Sequence, residues 1–109
     1  MKQFITDEQI EMALNFIRDN AESLAKWKSR ARYLEHHRKS VRANAFMKCS
    51  GSAALCKEQA EASDEYAKVL EEYEEAMYEF TLIEARMNAA QSKIDAWRTM
   101  ASTLKMGNI

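Results

Sequence analysis

The residues of this chain best suited to metal or redox chemistry are two histidines and two cysteines, and their spacing argues against a metal site. His36 and His37 are adjacent, so on a helix their side chains point about 100° apart. Cys49 and Cys56 are separated by a spacing that matches no zinc pattern. No glutamate is followed by histidine three residues later, as a di-iron helical bundle requires. We therefore predict no metal and no cofactor.

Nucleophilic catalysis also finds no support in the sequence. The chain has only two glycines, Gly51 and Gly107, so neither a Gly-x-Ser-x-Gly elbow nor a glycine-rich phosphate loop is present. No histidine stands beside a cysteine in a fixed turn. The sequence predicts a protein that is not an enzyme and has no small-molecule substrate.

Charge is the most informative chemical feature, because it is divided into two blocks. Residues 26–48 carry eight lysines and arginines against the single acid Glu35, a balance of +7, whereas residues 58–84 carry ten acids against Lys68, a balance of −9. A basic helix can contact phosphates, and nearby aromatic rings can stack on bases. The alternative is that half of the cations pair with the glutamates. The predicted nucleic-acid or partner contacts are Lys26, Arg30, Arg32, Arg38, Lys39 and Arg42, with Tyr33, His36 or His37 as stacking rings.

Helices must position these charges, because the chain has no proline and is rich in helix-forming residues. Thr6 and Gln9 form a capping box that predicts the start of a helix over residues 7–48. Apolar residues then recur at steps of three and four, with polar gaps at Asn20 and Arg38. This heptad seam consists of Ile10, Ala13, Ile17, Leu24, Trp27, Ala31, Leu34, Val41 and Ala45.

A connector containing a short helix is predicted over residues 49–63, with Gly51 in the turn. Ser63 then caps a second long helix over residues 64–106, whose apolar positions again recur at steps of three and four. We expect residues 1–109 to form one domain. The predicted fold is all-α, a long antiparallel two-helix coiled-coil hairpin in which the basic block lies beside the acidic block.

One seam does not account for every apolar residue of the two long helices. An isolated hairpin would leave a second apolar flank in water, so we predict assembly into a four-helix bundle or a higher homo-oligomer. The predicted interface residues are Met12, Leu14, Phe16, Leu70, Met77 and Leu82.

Localisation is predicted from two negative features of the sequence. No apolar run approaches the ~20 residues that span a bilayer, and residues 1–5 have no secretory pattern. We expect a cytoplasmic protein without membrane contact, in which Cys49 and Cys56 are reduced thiols. A disulfide between them would require an oxidising compartment.

Three stretches of the chain carry a resemblance to other proteins. They are residues 32–40 (RYLEHHRKS), residues 48–51 (KCSG) and residues 90–98 (AQSKIDAWR). Together they resemble a group of small helical phage and prophage proteins that are encoded near genes for homologous recombination or single-strand annealing. The resemblance implies a phage origin, a bacterial host cell and an accessory role in DNA transactions.

The functional prediction follows from the basic block together with this resemblance. We expect a non-enzymatic phage accessory protein that binds single-stranded DNA or a DNA-bound recombination protein through its basic helical segment. Two alternatives remain open. The chain is either a protein-binding module that inhibits a host enzyme or defence system, or a structural coiled coil of the virion.

Overall fold

The computed structural model describes residues 5–107, with side chains as far as Lys105. Three helices account for most of this range: α1 (Asp7–Met47), α2 (Ala53–Glu61) and α3 (Asp64–Gly107). The described residues include no β-strand. The prediction of an all-α fold is therefore confirmed.

Helix α1 begins at the capping box that the sequence predicts. The backbone N–H of Thr6 donates to Oε1 of Gln9 at 3.0 Å, and the N–H of Gln9 donates to Oγ1 of Thr6 at 3.2 Å. Asp7 and Glu8 occupy the first turn, where the helix dipole favours negative charge. These local interactions satisfy backbone donors that have no partner within the helix.

The chain turns between α1 and α2 over a few residues. Gly51 has a φ of +155°, and a Cβ at this position would lie 3.3 Å from Cδ2 of Leu55. Ser52 then caps α2 by accepting a hydrogen bond from the N–H of Leu55 at 3.2 Å. The turn thus depends on a glycine for its backbone path and on a serine for the start of the next helix.

The passage from α2 to α3 is equally short and is organised by Ser63. Its hydroxyl donates to the carbonyl of Ala60 at 2.8 Å and accepts from the N–H of Tyr66 at 3.3 Å. Asp64 and Glu65 lie in the first turn of α3. The predicted cap at Ser63 is therefore present.

Two compact units divide the chain, and each contains a segment of α1 and a segment of α3. The turn unit is Ala25–Phe80 and includes α2. Its core is Ala31, Leu34, Val69 and Ala76, and Leu34 is only 1% exposed. Half-buried side chains that pack against this core are Trp27, Val41, Tyr66, Tyr73 and Met77.

The end unit consists of Met1–Leu24 and Thr81–Ile109. Ile10, Ala13 and Ile94 form its buried cluster, and Ile5, Ile17, Ala90 and Trp97 pack against it. Within this unit Leu24 shares a surface hollow with Met87, whereas the earlier residue Gln9 shares one with Lys93. The two helical segments of the end unit are therefore antiparallel.

Cys49 and Cys56 are joined in a disulfide, so the expectation of two reduced thiols is wrong for this structure. The turn after Met47 folds α2 back and leaves the two Cα atoms 5.5 Å apart, within the range that a disulfide bridges. Cys56 is buried and Cys49 is half-buried. The spacing of the two cysteines in the sequence does not predict this short distance, because the distance depends on the path of the turn between α1 and α2.

Among the described residues, no helix combines the length and apolarity that a membrane span requires.

Candidate phosphate-binding surface on the first helix

The basic block lies in the turn unit, where α1 directs its side chains around a buried stripe. Ala31 and Leu34 mark the side of α1 that faces the core. With 3.6 residues per turn, the lysines and arginines cannot all point the same way. The structure accordingly places the six predicted binding residues in three different environments.

Two of the predicted residues are paired with glutamates inside the turn unit. Nη2 of Arg30 lies 3.7 Å from Oε2 of Glu72 in α3, and Nη1 of Arg42 lies 3.6 Å from Oε1 of Glu61 in α2. All four side chains are between 40% and 50% exposed, so each pair contributes at most about 1 kcal/mol. Both contacts nevertheless join the basic block to the acidic block.

Arg38 is turned towards the core rather than towards solvent. Its guanidinium carbon lies 5.0 Å from the ring centroid of Tyr73, which is a cation–π contact. Its Nε is buried and has no hydrogen-bond partner among the described residues. Arg38 is therefore poorly placed to bind a phosphate, because its planar face is occupied by the tyrosine ring.

The remaining predicted cations, Lys26, Arg32 and Lys39, are exposed. In the part of the chain that the structure describes, none of them lies within ion-pair distance of a carboxylate. Lys28, another cation of the basic block, is exposed and equally free of such a pair. These four residues are the cations of α1 that remain available for a ligand.

Lys28, Arg32 and Lys39 lie on one side of α1, because their spacings of four and seven residues follow the helical repeat. They span about 16 Å along the helix axis at 1.5 Å per residue. At ~3.4 Å per nucleotide of a stacked strand, that length matches roughly five phosphates. Glu35 lies on the same side but is half-buried.

The opposite flank of α1 carries exposed aromatic rings. Tyr33 and His37 stack with their centroids 5.3 Å apart and their planes 14° from parallel. The guanidinium carbon of Arg30 lies 6.0 Å from the Tyr33 centroid, and the Tyr33 side chain is 55% exposed. Lys26 and Tyr33 line the same surface hollow of about 410 Å³. Along this flank two cations, Lys26 and Arg30, therefore precede the two stacked rings, while His36 is exposed elsewhere on the helix.

The described residues bring together no group of three or more histidine, cysteine, aspartate or glutamate side chains that could hold a metal ion. The many glutamates of α3 are instead distributed along the helix.

The six predicted interface residues are divided between the two units. In the end unit Met12 and Phe16 line one hollow together with Ala89, whereas Leu14 does not contribute to it. Met12 is 66% exposed and Leu14 is 52% exposed. Leu70, Met77 and Leu82 are half-buried, and Met77 packs against the core of its own chain.

Comparisons of this chain with protein-family models, with curated proteins and with solved structures found no match.

Proposed function

We propose that this protein is a non-enzymatic accessory protein that binds single-stranded DNA along α1. One observation carries the proposal: among the described residues, Lys26 is exposed without a carboxylate partner beside the stack of Tyr33 on His37, and Lys28, Arg32 and Lys39 form a second row of such cations on the other side of α1. Phosphates would lie against the cations, and unpaired bases would stack on the tyrosine face. Arg30 and Arg42 would contribute after leaving their weak ion pairs.

A single strand fits this surface better than a duplex does. Bases stacked inside a duplex do not offer their faces to a side chain, whereas a single strand does. The acidic residues of α3 would repel phosphates and would keep the strand on the α1 side of the turn unit. A DNA-bound recombination protein with acidic side chains is the second ligand that these cations would accept.

The biological setting of the proposal rests on the resemblance to phage and prophage proteins. We propose that the protein acts in the cytoplasm of a bacterial host during DNA recombination.

The architecture that we propose for the working protein is an antiparallel helical hairpin that assembles into a four-helix bundle or a higher oligomer. Antiparallel packing within the end unit supports the hairpin. The exposure of Met12 and Leu14 supports the assembly, because large apolar side chains are stabilised by a partner.

The test is fluorescence anisotropy with a labelled oligothymidine of about 20 nucleotides at increasing salt. We expect log affinity to fall linearly with log salt for the wild-type protein. The variant K28A/R32A/K39A should bind more weakly, and its slope should be smaller by about 2, since each single-strand phosphate contact contributes about 0.7. The variant Y33A should weaken binding with an unchanged slope, because a ring carries no charge.

The matched control is R18A/R86A/R98A, which removes three exposed cations from the end unit and changes the net charge by the same amount. This control should retain the wild-type slope. Absence of binding at low salt, or an equal loss in the control and in K28A/R32A/K39A, would reject the proposed surface.

A protein-binding module is the second candidate function. It is favoured by the exposed apolar side chains near the turn, where Met47 is 80% exposed and Leu55 is 45% exposed. Capture of one stoichiometric host protein, together with no DNA binding, would replace the first proposal by this one.

A further inference from the structure

A surface hollow of about 520 Å³ lies between the end of α1 and helix α2. Its apolar lining comes from Phe46, Met47 and several alanines of the two helices, and its charged lining from Lys39, Arg42 and Lys57. Phe46 is 40% exposed and Met47 is 80% exposed. The hollow therefore combines uncovered apolar surface with three cations, which we call the cationic hollow.

The charges of the cationic hollow are not balanced by its own lining. None of the residues that line it is acidic. Arg42 is engaged by Glu61, but Lys39 and Lys57 have no carboxylate within ion-pair distance among the described residues. A complementary occupant would therefore bring a large apolar side chain together with at least two carboxylates.

The same chain carries such a surface on α3. Glu71, Glu74, Glu75 and Tyr78 are spaced at i, i+3, i+4 and i+7, so they lie on one side of the helix, and all four are exposed. Tyr78 is 65% exposed, so its ring adds uncovered apolar surface beside these glutamates. We call this surface the acidic face. None of its glutamates is paired with a cation in the described part of the chain.

The two surfaces also match in length. The acidic face extends about 10 Å from Glu71 to Tyr78 at 1.5 Å per residue, and the α1 side of the hollow extends about 12 Å from Lys39 to Met47. Both surfaces belong to the turn unit. Since every copy carries both surfaces, two copies can make this contact once, or twice about a twofold axis where both surfaces face the same partner.

We propose that two copies of this chain associate by docking the acidic face of one copy into the cationic hollow of the other. Tyr78 fills the apolar floor, and Glu71 and Glu74 face Lys39 and Lys57. This contact is separate from the apolar flanks of the end unit, and it does not require DNA binding. It would, however, draw Lys39 away from a bound strand.

The experiment is sedimentation equilibrium with a charge swap. K39E/K57E should weaken self-association at least about tenfold, because glutamates would face glutamates across the contact, and E71K/E74K should do the same. An equimolar mixture of the two variants should recover association to within about threefold of the wild type. Far-UV circular dichroism establishes that each variant is folded.

Matched controls carry the same changes in charge in the end unit. R18E/R98E corresponds to K39E/K57E, and E11K/E22K corresponds to E71K/E74K; both controls should associate like the wild type. Recovery in the mixture supports the proposal most directly, because loss of folding in a variant could not produce it.

Three results would overturn the docking proposal. They are a wild-type protein that stays monomeric, swap variants that associate normally, and a mixture that does not recover. An oligomer that is lost only in M12S/L14S would assign association to the end unit instead. DNA binding is measured separately by anisotropy, so failure of one proposal leaves the other to its own test.

Discussion

The disulfide between Cys49 and Cys56 permits a quantitative prediction about stability. In the chain-entropy description, a cross-link stabilises the folded state by restricting the unfolded chain, and the effect grows with the logarithm of loop length. The two cysteines are 7 residues apart in sequence. A loop of that length gives about 8 cal/mol/K, or about 2.4 kcal/mol at 25 °C.

Reduction should therefore lower the free energy of unfolding by about 2.4 kcal/mol. For a chain of this size, 1 kcal/mol corresponds to a shift in Tm of about 4–8 °C, so the expected decrease is about 10–19 °C. The assay is thermal and urea unfolding of the oxidised protein, followed by circular dichroism at 222 nm, with and without a phosphine reductant. The helical signal of the folded protein should persist after reduction, because the cores of both units do not include the cysteines.

The control is the variant C49A/C56A, whose unfolding should not respond to the reductant and should resemble that of the reduced wild type. Thiol titration of the denatured, unreduced protein comes first. Two free thiols there would contradict the disulfide itself. If the disulfide is present but reduction leaves the Tm and the urea midpoint unchanged, the loop-closure reasoning is refuted.

Two further substitutions test the packing and the turn. Leu34→Ala should cost about 2–4 kcal/mol in urea unfolding, since Leu34 is 1% exposed, while Leu104→Ala, at a site 59% exposed, should cost under about 0.5 kcal/mol. Equal losses at both sites would contradict the assigned core. Gly51→Ala should cost about 1 kcal/mol or more because of the +155° φ and the approach to Leu55, whereas Ser50→Ala should be nearly neutral. A neutral Gly51→Ala would mean that the turn has another backbone path in solution.

Features set by neighbouring residues could be predicted from the sequence. The all-α class follows from composition, and the capping box of Thr6 and Gln9 depends on residues three apart. Asn20, which interrupts the apolar seam, also has a hydrogen-bond partner nearby in sequence, because its Nδ2 donates to the carbonyl of Phe16 at 2.9 Å. Such interactions do not depend on how the rest of the chain folds.

Features that depend on how helices face each other could not be predicted. Arg38 interrupts the apolar seam, which indicates an inward position, yet its charge also made it a candidate phosphate contact. Arg38 is turned inward because it contacts the ring of Tyr73, which lies 35 residues further along the chain. Likewise, only the packing of α3 and α2 against α1 determines that Arg30 and Arg42 meet glutamates while Arg32 and Lys39 do not.

The division into a turn unit and an end unit has a consequence for the order of folding. Leu34 and Val69 of the turn unit are roughly 35 residues apart, whereas Ala13 and Ile94 of the end unit are roughly 81 apart. Closing the longer loop first would cost about 0.7 kcal/mol more in chain entropy. Nucleation should therefore start in the turn unit, so Leu34→Ala should slow refolding in stopped-flow experiments, while Ile94→Ala should chiefly accelerate unfolding. The opposite pattern would place the nucleus in the end unit.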